Sequence, residues 1–247
     1  RMQRPISQKK GVPLIISAHG GGLVLGTSRD SYVCNILKMV SAHAEPEFCW
    51  ASVEYRLAPE VEFTEAVDDF LSAIDALRNE ALATEFGYSI EDIHLVGVSA
   101  GGFIVLHAVS RLGAEAKFLK DVAALYPMVD GAMTRASYQH YSDLSVCPGV
   151  WIRLCWEWAL GGVTEERLRQ SSLLHSDLAP LKGLKVLLMA AQYDLMHDDA
   201  VALKGYMEAH GLDLTFIDAK GSHAMAHMFD SSAKLQMCTW LQSCISA

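Results

Sequence analysis

Ile93-His94-Leu95-Val96-Gly97-Val98-Ser99-Ala100-Gly101-Gly102 decides how the rest of the chain is read. Residues 93–98 are an apolar run of strand length, and residues 103–112 carry apolar positions at helical spacing. Between them stands a serine with a glycine two positions to either side. G-x-S-x-G is common by chance, but between a strand and a helix it describes a tight turn that presents the serine hydroxyl at a sheet edge. The glycines let neighbouring backbone pass without a Cβ clash, and the following helix N-terminus favours negative charge developing nearby. An ordinary strand-turn-helix connection is the alternative. Ser99 is therefore a candidate nucleophile.

The sequence on either side repeats the same alternation. Strands are expected at residues 12–18, 48–54, 122–126, 184–190 and 214–217. Helices are expected at 32–43, 65–82, 200–209 and 232–241. Strands alternating with helices, and nothing repeating internally, predict a mostly parallel sheet covered by helices on both faces. With 247 residues, a single α/β domain over 1–247 is expected. Residues 130–178 break the alternation and hold Trp151, Trp156 and Trp158, which suggests a small helical cap inserted after a strand. Its aromatics could line a pocket or bury the cap on the body.

Composition narrows the partners. Lys and Arg number 20 against 29 Asp and Glu, and a net charge of −9 suits a phosphate backbone poorly, so nucleic acid is not expected. No apolar run approaches the roughly 20 residues of a membrane span. The six cysteines (34, 49, 147, 155, 238 and 244) form no CxxC pair or zinc spacing and read as buried thiols in a reducing, cytoplasmic setting. No metal or organic cofactor is expected.

A second glycine cluster, His19-Gly20-Gly21-Gly22, ends the strand at residues 12–18. Three bare residues cost chain entropy, so close backbone approach is wanted there. An acyl-transfer oxyanion needs N–H donors at such a place. Phosphate-loop patterns are absent. His19 reads as holding the loop rather than as a base.

Together these motifs resemble the hormone-sensitive-lipase-like family of α/β hydrolases. Glu54-Tyr55-Arg56-Leu57-Ala58-Pro59-Glu60 is similar to that family's DYRLAPE segment, and Gln192-Tyr193-Asp194-Leu195-Met196-His197-Asp198 to its YDPLRD segment. The resemblance implies an α/β-hydrolase fold and a Ser99, Asp194, His223 triad, with oxyanion donors at the N–H groups of Gly21, Gly22 and Ala100. His223 would move the proton and Asp194 would orient its imidazole. His227, four residues beyond His223, is expected to pack structurally. Asp198 and Asp199 are expected to serve the start of a helix.

There are departures. Val98 stands where the family has Asp, Leu195 where it has Pro, and Ala224-Met225 where it has Gly-Phe. The family also has a longer N-terminal region, so the first strands and part of the cap are expected to be truncated here. The strand at 48–54 would then be an edge, covered by residues 1–10, a homodimer partner or a neighbouring domain. The implied activity is cleavage of small to medium apolar or aromatic carboxylic esters through an acyl-enzyme. A thioesterase or acyl-releasing domain and a non-catalytic binding module are the alternatives.

Overall fold

A computed structural model describes residues 2–3, 10–41, 47–143 and 146–246. Among the described residues, seven strands form one sheet: β1 (Met2–Gln3), β2 (Val12–Ala18), β3 (Cys49–Val53), β4 (Tyr88–Val98), β5 (Leu119–Leu125), β6 (Lys185–Ala191) and β7 (Asp213–Ala219), in the order β1-β3-β2-β4-β5-β6-β7. Pairing is parallel from β3 to β7, and β1 alone runs antiparallel. Ten helices among the described residues join them: α1 (Ser31–Ser41), α2 (Phe63–Leu77), α3 (Glu80–Phe86), α4 (Ala100–Leu112), α5 (Ala136–Tyr141), α6 (Gly149–Ala159), α7 (Glu165–Ser171), α8 (His197–Ala209), α9 (Ala226–Phe229) and α10 (Ser231–Ile245).

The two-residue alternation of the strands sets the layers. In β2, Leu14 and Ile16 enter one core with Val67 and Phe70 of α2 and Phe103 of α4. Ile15 faces a second core with Ile36 and Leu37 of α1 and Met237 and Leu241 of α10. β2, β3 and most of β4 to β6 are buried on both sides, which explains their continuous apolar runs.

Several boundaries differ from the sequence expectation for identifiable reasons. The helix expected at 65–82 is two helices. α2 ends at Leu77, and the side chain of Asn79 accepts hydrogen bonds from Ala81 and Leu82 N–H, starting α3. β4 begins at Tyr88 rather than 93 because its early residues extend alongside β2, with Val12 opposite Tyr88. The edge expected at 48–54 is β3, and Met2 and Gln3 pair with Ala51 and Trp50 there. The rest of that expectation, over residues 4–9, lies outside the described residues, as does the side chain of Cys34. Cys49, Cys155, Cys238 and Cys244 are buried. No helix among the described residues is long and apolar enough to cross a membrane.

Near the middle of β4, His94 faces Asp121 of β5 in register. Its Nδ1 lies 2.6 Å from Asp121 and its Nε2 3.0 Å from Asp92, with His94 and Asp121 both 1% exposed. Burial alone would lower the His94 pKa, but the hydrogen bonds and charges of Asp121 and Asp92 outweigh it and raise it to about 9. A pKa raised on folding stabilises fully below the unfolded value of 6.5, and that contribution is lost as pH climbs toward 9. The thermal midpoint should therefore fall between pH 6.5 and 9, and His94→Gln should flatten this decline. Parallel pH profiles of wild type and variant would argue against the ion pair.

Candidate active site

Ser99 sits between β4 and α4 with φ +57°, a left-handed conformation that is rare and costly for a residue with a side chain. The surroundings enforce it. The Ser99 N–H donates to the Leu125 carbonyl (2.9 Å), while the Ser99 carbonyl accepts from Phe103 (3.2 Å) and Met128 (3.3 Å). A Cβ on Gly101 would fall 2.1 Å from the Ala18 carbonyl oxygen, so only glycine lets the turn pass this close to the end of β2.

Asp194 and His223 follow β6 and β7, and backbone bonds lace those two exits together. Gln192 N–H donates to Ala219 (2.9 Å) and Tyr193 N–H to Gly221 (3.0 Å). Adjacent strand ends thus deliver both side chains to the sheet edge that carries Ser99. His223 Nε2 is 2.8 Å from Ser99 Oγ, and His223 Nδ1 is 2.6 Å from Asp194 Oδ2. Asp194 Oδ1 accepts the Met196 N–H at 3.1 Å, which fixes the carboxylate plane. All three side chains are largely buried.

The glycine loop lies beside them. Gly21 has φ +113°, and a Cβ there would stand 1.9 Å from the Leu25 carbonyl oxygen. The N–H groups of Gly21 and Gly22 meet no acceptor among the described residues, and that of Ala100 is the first of α4, with no partner inside its helix. His19 braces the loop as expected: its Nδ1 lies 2.8 Å from the Gly20 carbonyl oxygen and its ring stacks on Tyr55 at 4.2 Å. Burial lowers its pKa. The segment from Glu54 to Glu60 is the second brace, a role the sequence alone did not reveal. Glu54 accepts from Ser28 N–H (2.9 Å), Tyr55 hydroxyl donates to the His19 carbonyl (2.6 Å), and Ala58 N–H donates to Leu23 (2.8 Å). The longer Glu54 side chain still reaches its donor.

Ser99 and His223 open into a cavity of about 190 Å³. Gly20, Gly21 and Gly22 form one wall, Val98 and Ala224 another, and Cys147, Trp151 and Ile152 a third. Asp30 is the one Asp, Glu, Lys or Arg lining it among the described residues. Of the departures from the family pattern, Val98 and Ala224 line the cavity, and Val98 replaces a carboxyl with an apolar side chain there. The three tryptophans of residues 130–178 divide their labour. Trp151 lines the cavity, Trp156 is fully buried with its ring edge-on to Phe103 at 5.4 Å, and Trp158 is exposed.

Asp198 and Asp199 occupy the first turn of α8. They do more than serve the helix end. Asp198 accepts from Ser137 N–H (2.9 Å), and buried Asp199 takes Arg135 Nε (2.8 Å) and the Tyr138 hydroxyl (2.6 Å), tying α5 to α8. Burial pushes the Asp199 carboxyl up to about 7. The carboxylate bonded to His223 is that of Asp194. His227 Nδ1 is bonded to the Tyr126 hydroxyl. No group of three His, Cys, Asp or Glu among the described residues is arranged to hold a metal ion.

Residues 15–230 match the family model described as alpha/beta hydrolase fold. The chain is 28% identical over 208 residues to an ethyl acetate hydrolase of Pseudomonas putida, covering 80% of this chain and 61% of that protein. It is 26% identical over 235 residues to a versiconal hemiacetal acetate esterase of Emericella nidulans, covering 90% and 76%. The chain thus spans less than two thirds of the Pseudomonas relative. Among solved structures, a hyperthermophilic esterase from the archaeon Pyrobaculum calidifontis superposes with a TM-score of 0.81 at 20% identity, covering 96% of this chain and 78% of that one. A thermophilic carboxylesterase cloned from a metagenomic library gives 0.81 at 24% identity, covering 96% and 81%. With the family model spanning all but the ends, the chain belongs to the hormone-sensitive-lipase-like family of α/β hydrolases.

Proposed function

We propose that the protein is a serine carboxylesterase acting through an acyl-enzyme, with Ser99 as nucleophile, His223 as general base and acid, and Asp194 as the residue that orients His223. The observation that carries this reading is the unbroken chain Ser99 Oγ–His223 Nε2–Asp194 at 2.8 and 2.6 Å, beside Gly21 and Gly22 N–H groups that meet no acceptor among the described residues. His223 takes the Ser99 proton as Oγ attacks the ester carbonyl, and Asp194 stabilises the imidazolium. Negative charge on the carbonyl oxygen is met by the N–H groups of Gly21, Gly22 and Ala100, whose positions need not adjust as charge develops. His223 then gives its proton to the departing alcohol, and water, activated by the same imidazole, releases the acid.

The cavity favours a short acyl group. Its volume of about 190 Å³ falls below the roughly 300–1,000 Å³ usual for ligand sites. Apart from Asp30 and the Ser99–His223 pair its walls are apolar, so a neutral acyl chain suits it and an anionic one does not. Leu25 and Val146 line the mouth and stand 50% and 61% exposed, a surface on which an apolar or aromatic alcohol portion would rest. The names of the two relatives, an ethyl acetate hydrolase and an acetate esterase, support an acetyl or similarly short ester. Residues 130–178 serve in this reading as the cap of a single domain, placing α6 over Ser99.

Ser99→Ala should abolish labelling by a fluorophosphonate probe and lower kcat on the order of 10⁶-fold, the size of loss expected when a triad nucleophile is removed. Asp194→Asn should lower kcat about 10⁴-fold by favouring the wrong imidazole tautomer. Less than a tenfold loss in Ser99→Ala would exclude the assignment. Trp151→Ala should open the cavity and shift preference along a p-nitrophenyl ester series toward longer chains. The octanoate-to-acetate ratio of kcat/KM should rise about tenfold or more, since each buried methylene is worth about 0.8 kcal/mol. An unchanged ratio would show that Trp151 does not limit the acyl group.

A further inference from the structure

Behind His223 stand two buried, titratable side chains that the proposed chemistry does not use, Tyr126 and His227. Tyr126 follows the last residue of β5, in the turn that also grips the nucleophile, because Leu125 accepts from Ser99 N–H and Met128 donates to the Ser99 carbonyl. Its backbone is tightly held: φ is +38°, and its N–H donates to the Met189 carbonyl at 2.6 Å. An aromatic residue adopts such a φ only where its surroundings over-determine it, a pattern concentrated at functional sites.

From that backbone the Tyr126 ring stands edge-on against the His223 ring, with centroids 5.5 Å apart and planes at 67°. It stacks on His227 at 5.9 Å and 27°. The Tyr126 hydroxyl and His227 Nδ1 are hydrogen-bonded. Burial, reinforced by the charge of Lys234, lowers the His227 pKa to about 4, so at neutral pH its ring is uncharged, with one ring nitrogen donating and the other accepting. His227 belongs to α9, which begins three residues after His223, so the bond ties the histidine loop to the elbow's own support.

We propose that Tyr126 and His227 are positioning residues for His223: their hydroxyl–imidazole bond fixes the Tyr126 ring, and that ring holds the His223 imidazole where Nε2 meets Ser99 and Nδ1 meets Asp194. This rests on the esterase reading above. A base acts only within hydrogen-bond reach of the proton it takes, and a displacement of about 1 Å can cost as much as 10²-fold in rate. The pair touches neither substrate nor reacting atom, so removing it should act on kcat and spare binding.

The test compares Tyr126→Phe, His227→Leu, His227→Asn and the double variant Tyr126→Phe/His227→Leu with wild type. The readouts are kcat and KM on p-nitrophenyl acetate, the rate of fluorophosphonate labelling at Ser99, and thermal midpoints. Tyr126→Phe and His227→Leu should each lower kcat and the labelling rate about tenfold with KM within about twofold. His227→Asn puts an acceptor oxygen near the place of Nδ1 and should recover most of the rate, which a purely packing role would not. The double variant should be no slower than either single one, because both remove one bond. Tyr126→Phe changes a single oxygen atom, so it carries the test alone if His227→Leu does not fold. Wild-type kcat in Tyr126→Phe, with Ser99 still labelled, overturns the positioning role. A wild-type protein that neither labels nor hydrolyses overturns the esterase reading and the pair's role with it.

Discussion

One close contact between backbones carries this structure: Gly101, in the first turn of α4, lies against the carbonyl of Ala18 at the end of β2. Because the turn can pass that near, Ser99 is driven into a left-handed conformation and its hydroxyl stands clear of the strand. The same contact seats the glycine loop that follows β2 beside the serine. Ser99 and the glycine loop are thereby set by one piece of packing rather than by two loops that must find each other. The strain at Ser99 is borne by α4, whose residues 100–109 are all buried and anchored in the main core.

The other half of the site depends on strand adjacency. β6 and β7 are neighbours in register, so the loops leaving them emerge side by side, and the bonds from Gln192 and Tyr193 to the β7 exit keep Asp194 and His223 at a common height. Tyr126, at the exit of β5, lies between this pair and the elbow. The exits of four strands thus contribute to one constellation, each braced by hydrogen bonds among backbone groups. Around it, Asp198 and Asp199 fasten α5 to α8, and α6 brings Trp151 and Ile152 to the cavity.

Much of this was legible in the sequence. The strand-turn-helix context of Ser99 is a local pattern, and parallel strands buried on both faces advertise themselves as apolar runs such as residues 12–18. The order of Asp194 and His223 along the chain, each just past a strand, could be read because a parallel sheet sends every strand end to the same edge. What was not legible depends on partners distant in sequence. The break between α2 and α3 rests on one Asn79 cap within an otherwise continuous helical pattern. The bracing role of Glu54 and Tyr55 needs Ser28 and His19 across the loop. The position of Tyr126 against His223 and His227 joins residues about a hundred apart, and no period or motif encodes it. Asp198 and Asp199 could be assigned to the start of a helix but not to Arg135, Ser137 and Tyr138, because the fold of residues 130–178 could not be derived from their pattern.

The central claim is that Ser99 becomes covalently acylated because His223 and the glycine loop converge on it. Rapid quenching of the protein during turnover of p-nitrophenyl acetate, followed by peptide mass analysis, tests this most directly. The account predicts a burst of p-nitrophenol equivalent to about one per chain and an acetyl group on the peptide carrying Ser99, as expected for an acyl-enzyme. Turnover with no adduct, or with the acetyl group on another side chain such as Cys147, would contradict it.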